Sequence, residues 1–140
     1  MIRNCFLNIS TAVLLLTAAA SVCAEVVVIV HPSNENALDT KAVQRIFLGK
    51  EKKFSNGTAV YPINQTEGAI RSDFDSSVLG RSSTQVAAYW SKLVFTGKGI
   101  PPKEVSSDAD VVAAVSADPA SIGYVDSAAV TGDVKSVSFN

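Results

Sequence analysis

Residues Val26–Val30 read VVVIV, five apolar β-branched residues with no polar position among them. A strand with one wet face alternates apolar and polar side chains, and this run does not alternate. It therefore predicts a strand buried on both faces, in a sheet that helices cover from both sides. The rest of the chain supplies the helices. Asp39 is placed to cap a helix carrying Val43, Ile46 and Phe47, which Gly49 stops. Ser55, Asn56 and Gly57 form a turn, and Val60–Ile63 reads as a second short strand. Ile70, Phe74 and Val78 recur at i, i+4 and i+8, a core stripe that Gly80 closes.

Ser82 or Ser83 caps a further helix, with Val86, Trp90, Leu93 and Val94 on one face and Trp90 in the core. Gly97–Pro102 is a rigid loop. Ser107 with Asp110 resembles a capping box before a helix bearing Val111, Val112 and Val115, which Pro119 ends. Ile122–Val125 reads as a strand and Val134–Phe139 as an edge strand. The order is roughly βαβααβ with a final strand. It predicts an α/β fold: an open, mostly parallel sheet with helices on both faces.

The segment before VVVIV has the three-part layout of a secretory signal peptide. Arg3 is a short positive start, Thr11–Ala20 is apolar, and Ser21, Val22, Cys23 and Ala24 are followed by Glu25. The apolar run falls short of the roughly 20 residues a membrane helix needs. Val22 stands where a lipoprotein signal has Gly, Ala or Ser before its cysteine, so the reading is cleavage near Ala24 and a soluble chain beginning at Glu25. The expected organisation is residues 1–24 as signal and 25–140 as one domain, periplasmic or secreted. Cys5 and Cys23 both leave with the signal, so no disulfide is expected in the mature domain.

Loss of Arg3 leaves 11 basic against 13 acidic residues, a near-neutral balance that argues against nucleic acid. The densest charge run, Lys50–Lys53, reads as a solvated turn. Catalysis has little to build on: the mature chain has one histidine, His31, no thiol and no Gly-x-Ser-x-Gly elbow. His31 ends a strand and reads as a loop histidine. Metal ligands do not cluster, so neither metal nor cofactor is expected. The pairs Asp73/Asp75 and Asp108/Asp110 would point to different helix faces and read as solvated.

The segment from Asn64 to Arg71 offers more. In open α/β sheets ligands bind beyond the carboxyl ends of strands, where loops lead into helix N-termini. Such a helix start presents unpaired N–H groups and partial positive charge to an anion. Asn64, Gln65 and Thr66 supply neutral hydrogen-bonding side chains. Gly68 and Ala69 would let a ligand approach the backbone, and Arg71 adds charge one turn in, exposed while no ligand is present. The plainer reading of the same residues is that Thr66 caps a helix and Arg71 lies on the surface.

Four segments resemble, in order, the phosphate-type substrate-binding proteins of ABC transporters. They are AVQRIFLGK (Ala42–Lys50), VYPINQTEGAIRSDFDSSVLG (Val60–Gly80), YWSKLVFTGKG (Tyr89–Gly99) and VVAAVSADPASIGYVDSAAV (Val111–Val130). The resemblance implies one lobe of a type 2 periplasmic binding protein, a small oxyanion such as phosphate as ligand, and an ABC permease or other envelope protein as partner. The family's Ser-Gly-Thr loop is matched by Gly68, Ala69 and Ile70, with Arg71 after it. Both hydroxyls are absent, and Glu67 would repel a dianion. The family's second lobe has no counterpart here.

The expectation is thus a non-enzymic binding module that holds an oxyanion weakly, or as a homodimer that rebuilds a cleft. The alternative is an envelope protein-interaction domain that has kept the lobe fold and lost ligand binding.

Overall fold

The computed structural model describes residues 25–137. The signal-peptide reading of residues 1–24 and the end of the expected terminal strand, Phe139 included, lie outside the described residues. Five strands form one sheet in the order β3-β2-β4-β1-β5. They are β1 (Val26–Val30), β2 (Tyr61–Gln65), β3 (Lys103–Val105), β4 (Ser121–Asp126) and β5 (Lys135–Val137). The helices are α1 (Thr40–Phe47), α2 (Ala69–Phe74), α3 (Ser83–Phe95) and α4 (Asp108–Ala117). A π-helical segment, Asp75–Leu79, continues α2.

β1 lies between β4 and β5, and Val28, Ile29 and Val30 are buried on both faces. Val28 and Val30 meet α1, α2 and α3 on one face, where Val43, Phe47, Phe74 and Val86 pack against Ile122 and Tyr124. Ile29 turns to the other face, where Ile63 and Val125 pack against Val111 and Val115 of α4. Helices thus cover both faces. Gly123 of β4 lets α4 come close, since a Cβ there would stand 2.5 Å from Val111 Cγ1.

The strand directions are mixed. β2 runs parallel to β3 and β4, while β1 is antiparallel to β4 and β5. An unbroken apolar run reports burial on both faces but carries no signal of direction, which explains the departure from the mostly parallel expectation. β3 was not legible at all. It is three residues long, two of them exposed, and it exists through its pairing with β2.

The capping signals act where the sequence places them. Asp39 Oδ1 accepts from Ala42 N–H at 2.7 Å, and Ser107 Oγ accepts from Asp110 N–H at 3.1 Å. Ser82 and Gln85 form a reciprocal capping box at the start of α3. On α3, Val86 and Trp90 are buried and Leu93 packs partly against the core, but Val94 is 50% exposed. Val94 therefore leaves the expected core face. The last turn of α3 carries Val94 and Phe95 into solvent, Phe95 being 90% exposed.

Candidate ligand-binding site

The chain leaves the carboxyl end of β2 into α2 on one face of the sheet and the end of β3 into α4 on the other. Adjacent parallel strands whose connections diverge in this way open a crevice between their carboxyl ends, the usual ligand position in such sheets. A cavity of about 930 Å³, open to solvent, lies at this place. Asn64, Thr66, Glu67, Arg71, Ser83 and Glu104 form its polar end, and Trp90, Val94, Phe95, Pro101 and Pro102 form an apolar wall.

Of the residues anticipated from the sequence, Asn64, Thr66 and Arg71 line the cavity, whereas Gln65, Gly68 and Ala69 do not. Gln65 is buried in a structural role. Its Nε2 donates to Asp108 Oδ1 at 2.6 Å and to Tyr124 O at 2.9 Å, tying β2 to α4 and β4. Asp108 is therefore engaged rather than merely solvated. Asn64 Oδ1 accepts from the Tyr124 hydroxyl and from Gln65 N–H, which leaves Nδ2 with no protein partner among the described residues. Burial pushes the Tyr124 phenol well above its ordinary range, so it remains a neutral donor.

Thr66 does not cap α2. The N-cap is Gly68, with no side-chain hydrogen bond to the helix start, so the first N–H groups of α2 have no capping side chain. Gly68 has an extended φ of 164°, and a Cβ placed on it meets nothing within 4 Å. The position is open, as close approach to the backbone requires.

Arg71 is not the exposed side chain expected: it is only 8% exposed. Its Nη1 donates to Gln65 O at 3.1 Å and to Glu104 Oε1 at 2.8 Å, and its Nε lies 3.5 Å from Asp75 Oδ2. Asp75, expected to be solvated, is 0% exposed. The i, i+4 spacing puts it under Arg71, and Ser83 Oγ donates to its Oδ2 at 2.8 Å. Desolvation raises the Asp75 carboxyl above its ordinary value, against the pull of Ser83 and Arg71. Burial weakens the charged form of Arg71, but Glu104 and Asp75 outweigh it and hold the guanidinium charged. Arg71 Nη2 has no protein partner among the described residues.

The polar end thus presents three uncommitted donors, on Asn64, Thr66 and Arg71, beside two carboxylates, Glu67 and Glu104. Sequence reasoning missed Glu104 and Ser83. Glu104 stands 33 residues from Arg71 on a strand too short to carry a pattern, and Ser83 looked like a capping residue.

No protein-family profile and no curated protein matches the chain. Solved structures do match. An ABC-type phosphate transport receptor from Vibrio cholerae superposes with a TM-score of 0.62 at 14% identity, over 81% of this chain and 45% of that one. PstS from Borrelia burgdorferi gives 0.60 at 14% identity, over 82% of this chain and 47% of that one. The chain has the fold of one lobe of such a receptor. It spans less than half the length of these receptors, and identity this low speaks to architecture alone.

Proposed function

We propose that this chain is an exported substrate-binding-protein-like module associated with phosphate ABC transport, holding a small oxyanion weakly between Asn64, Thr66 and Arg71. In this reading residues 1–24 are the signal, residues 25–140 form the binding domain in the periplasm or outside the cell, and a permease is its transport partner. The function is binding rather than catalysis. The likeness to phosphate-transport receptors supports the class of ligand. The observation that carries the site is the cavity at the β2/β3 crevice, where Arg71 keeps one guanidinium nitrogen uncommitted.

Weak binding follows from the charge balance. One arginine, already paired to two carboxylates, offers little net attraction, and Glu67 adds repulsion. An oxyanion that carries its own proton can donate to Glu104, which fully ionised sulfate cannot. Phosphate should therefore bind at about 1 mM, roughly −4 kcal/mol, and more tightly than sulfate. Binding should weaken with added salt, because an open site is poorly shielded. Calorimetric titration with phosphate and sulfate tests this, and no heat from either ion at millimolar concentration would sink the proposal.

A further inference from the structure

The cavity is far larger than a tetrahedral ion requires. At about 930 Å³ it lies near the top of the roughly 300–1,000 Å³ range of pockets that enclose drug-sized organic molecules. Its surface is divided in two. The donors on Asn64, Thr66 and Arg71 come from β2, the loop after it and α2, while α3 and the loop before β3 contribute a mostly apolar wall in which Ser91 is the polar member beside Trp90, Val94 and Phe95. Val94 and Phe95 hold that wall open to solvent, and nothing else among the described residues covers Phe95. An inorganic ion at the polar end would leave this apolar surface wet.

We propose that the ligand of this site is a phosphomonoester carrying an apolar, ring-sized body, rather than a bare inorganic ion. This rests on the oxyanion reading above and names its substrate class. The phosphate takes the donors of Asn64, Thr66 and Arg71, and the body lies along Phe95, Val94 and Trp90. The monoester suits this site because most of its affinity can come from covering apolar surface, a contribution the neighbouring carboxylates do not oppose. The head group binds as its monoanion, populated near a second pKa of about 6, because that form keeps a proton to donate to Glu104 while Asn64, Thr66 and Arg71 donate to its other oxygens.

Trp90 is the only tryptophan; it lines this cavity and also a second one beside Gly49 and Ile100, so its fluorescence reports binding and Phe95, which lines only the first of the two, assigns the site. The experiment titrates the protein with phenyl phosphate, inorganic phosphate and phenol, by fluorescence and by calorimetry, with sedimentation in parallel. Phenyl phosphate is expected to bind on the order of 10- to 100-fold more tightly than inorganic phosphate. Phe95→Ser, at a site exposed enough to spare the fold, is expected to narrow that ratio to within about threefold. Equal affinity for the ester and the ion would overturn this inference and leave the proposed function standing. Binding of neither would overturn both. Phenol binding as tightly as phenyl phosphate would also refute the inference, since the polar end would then contribute nothing. A dimer that Phe95→Ser dissociates would refute it too, by assigning the wall to a second copy of the chain.

Discussion

Tyr124 lies flat against Phe74, with ring centroids 3.8 Å apart and planes 3° from parallel. The stack holds β4 against α2, and the Tyr124 hydroxyl reaches across to Asn64 at the end of β2. One side chain therefore joins the core to the candidate site. Tyr124→Phe keeps the stack and loses the hydroxyl, while Gln65 N–H retains Asn64 Oδ1 at 2.9 Å. The cost should be about 0.5–1.5 kcal/mol. Tyr124→Ala also empties the core and should cost about 3–5 kcal/mol. Urea denaturation of both variants checks the ordering, and equal losses would show that the ring contributes nothing beyond its hydroxyl.

Arg71→Ala should do more than weaken binding. It leaves Asp75 fully buried without its cation, so stability should fall by about 3–5 kcal/mol. The surface-residue reading predicts almost no change. Replacing both partners by apolar residues, as in Arg71→Met with Asp75→Leu, should recover much of the loss, because the desolvation cost then disappears. A double variant as unstable as Arg71→Ala would show that the pair is needed for packing rather than for charge.

Asp75 gives a pH signature. Its carboxyl is raised in the folded protein, so folding favours its protonated form. That contribution is fully present below the unfolded value, about pH 4, and is lost as pH rises through the raised folded value. Asp75→Asn removes this titration. Thermal midpoints measured across acid to neutral pH should show the parent losing stability relative to the variant as pH rises above about 4. A constant difference across the range would show that Asp75 does not titrate abnormally.

Gly123→Ala should destabilise by about 1–3 kcal/mol through overpacking against α4. The added methyl would stand 2.5 Å from Val111 Cγ1. Val111→Ala in the same chain should relieve part of the clash, so the double variant should be more stable than the sum of the two single losses. Strict additivity in chemical denaturation would place the strain elsewhere.

Trp90→Ala should cost about 3–5 kcal/mol. The six-membered ring of Trp90 sits against Gly49, where a Cβ would stand 2.7 Å from Cη2, and against Gly99 at 3.2 Å. Gly49 also has φ of 73°, so it is needed for its backbone as well as for the space. A melting temperature within a degree or two of the parent would mean that the wedge is not structural.

Features whose physics is complete within a few residues were legible in the sequence. The unbroken run of β1 needs two buried faces, Asp39, Ser82 and Ser107 cap helices within one turn, and Ile70, Phe74 and Val78 mark a single helix face. The loop after Asn64 was likewise located by its place between a strand and a helix. What only the tertiary structure decided are relations across the chain. The direction of β1 depends on which neighbours it meets, and β3 owes its existence to β2. Arg71 has the composition of a surface residue, but α2 packs it under Glu104 and over Asp75, and that neighbourhood sets both its burial and its spare donor. Local pattern reports what a residue can do at low cost where it stands; burial and charge partners are settled when distant segments share the same space.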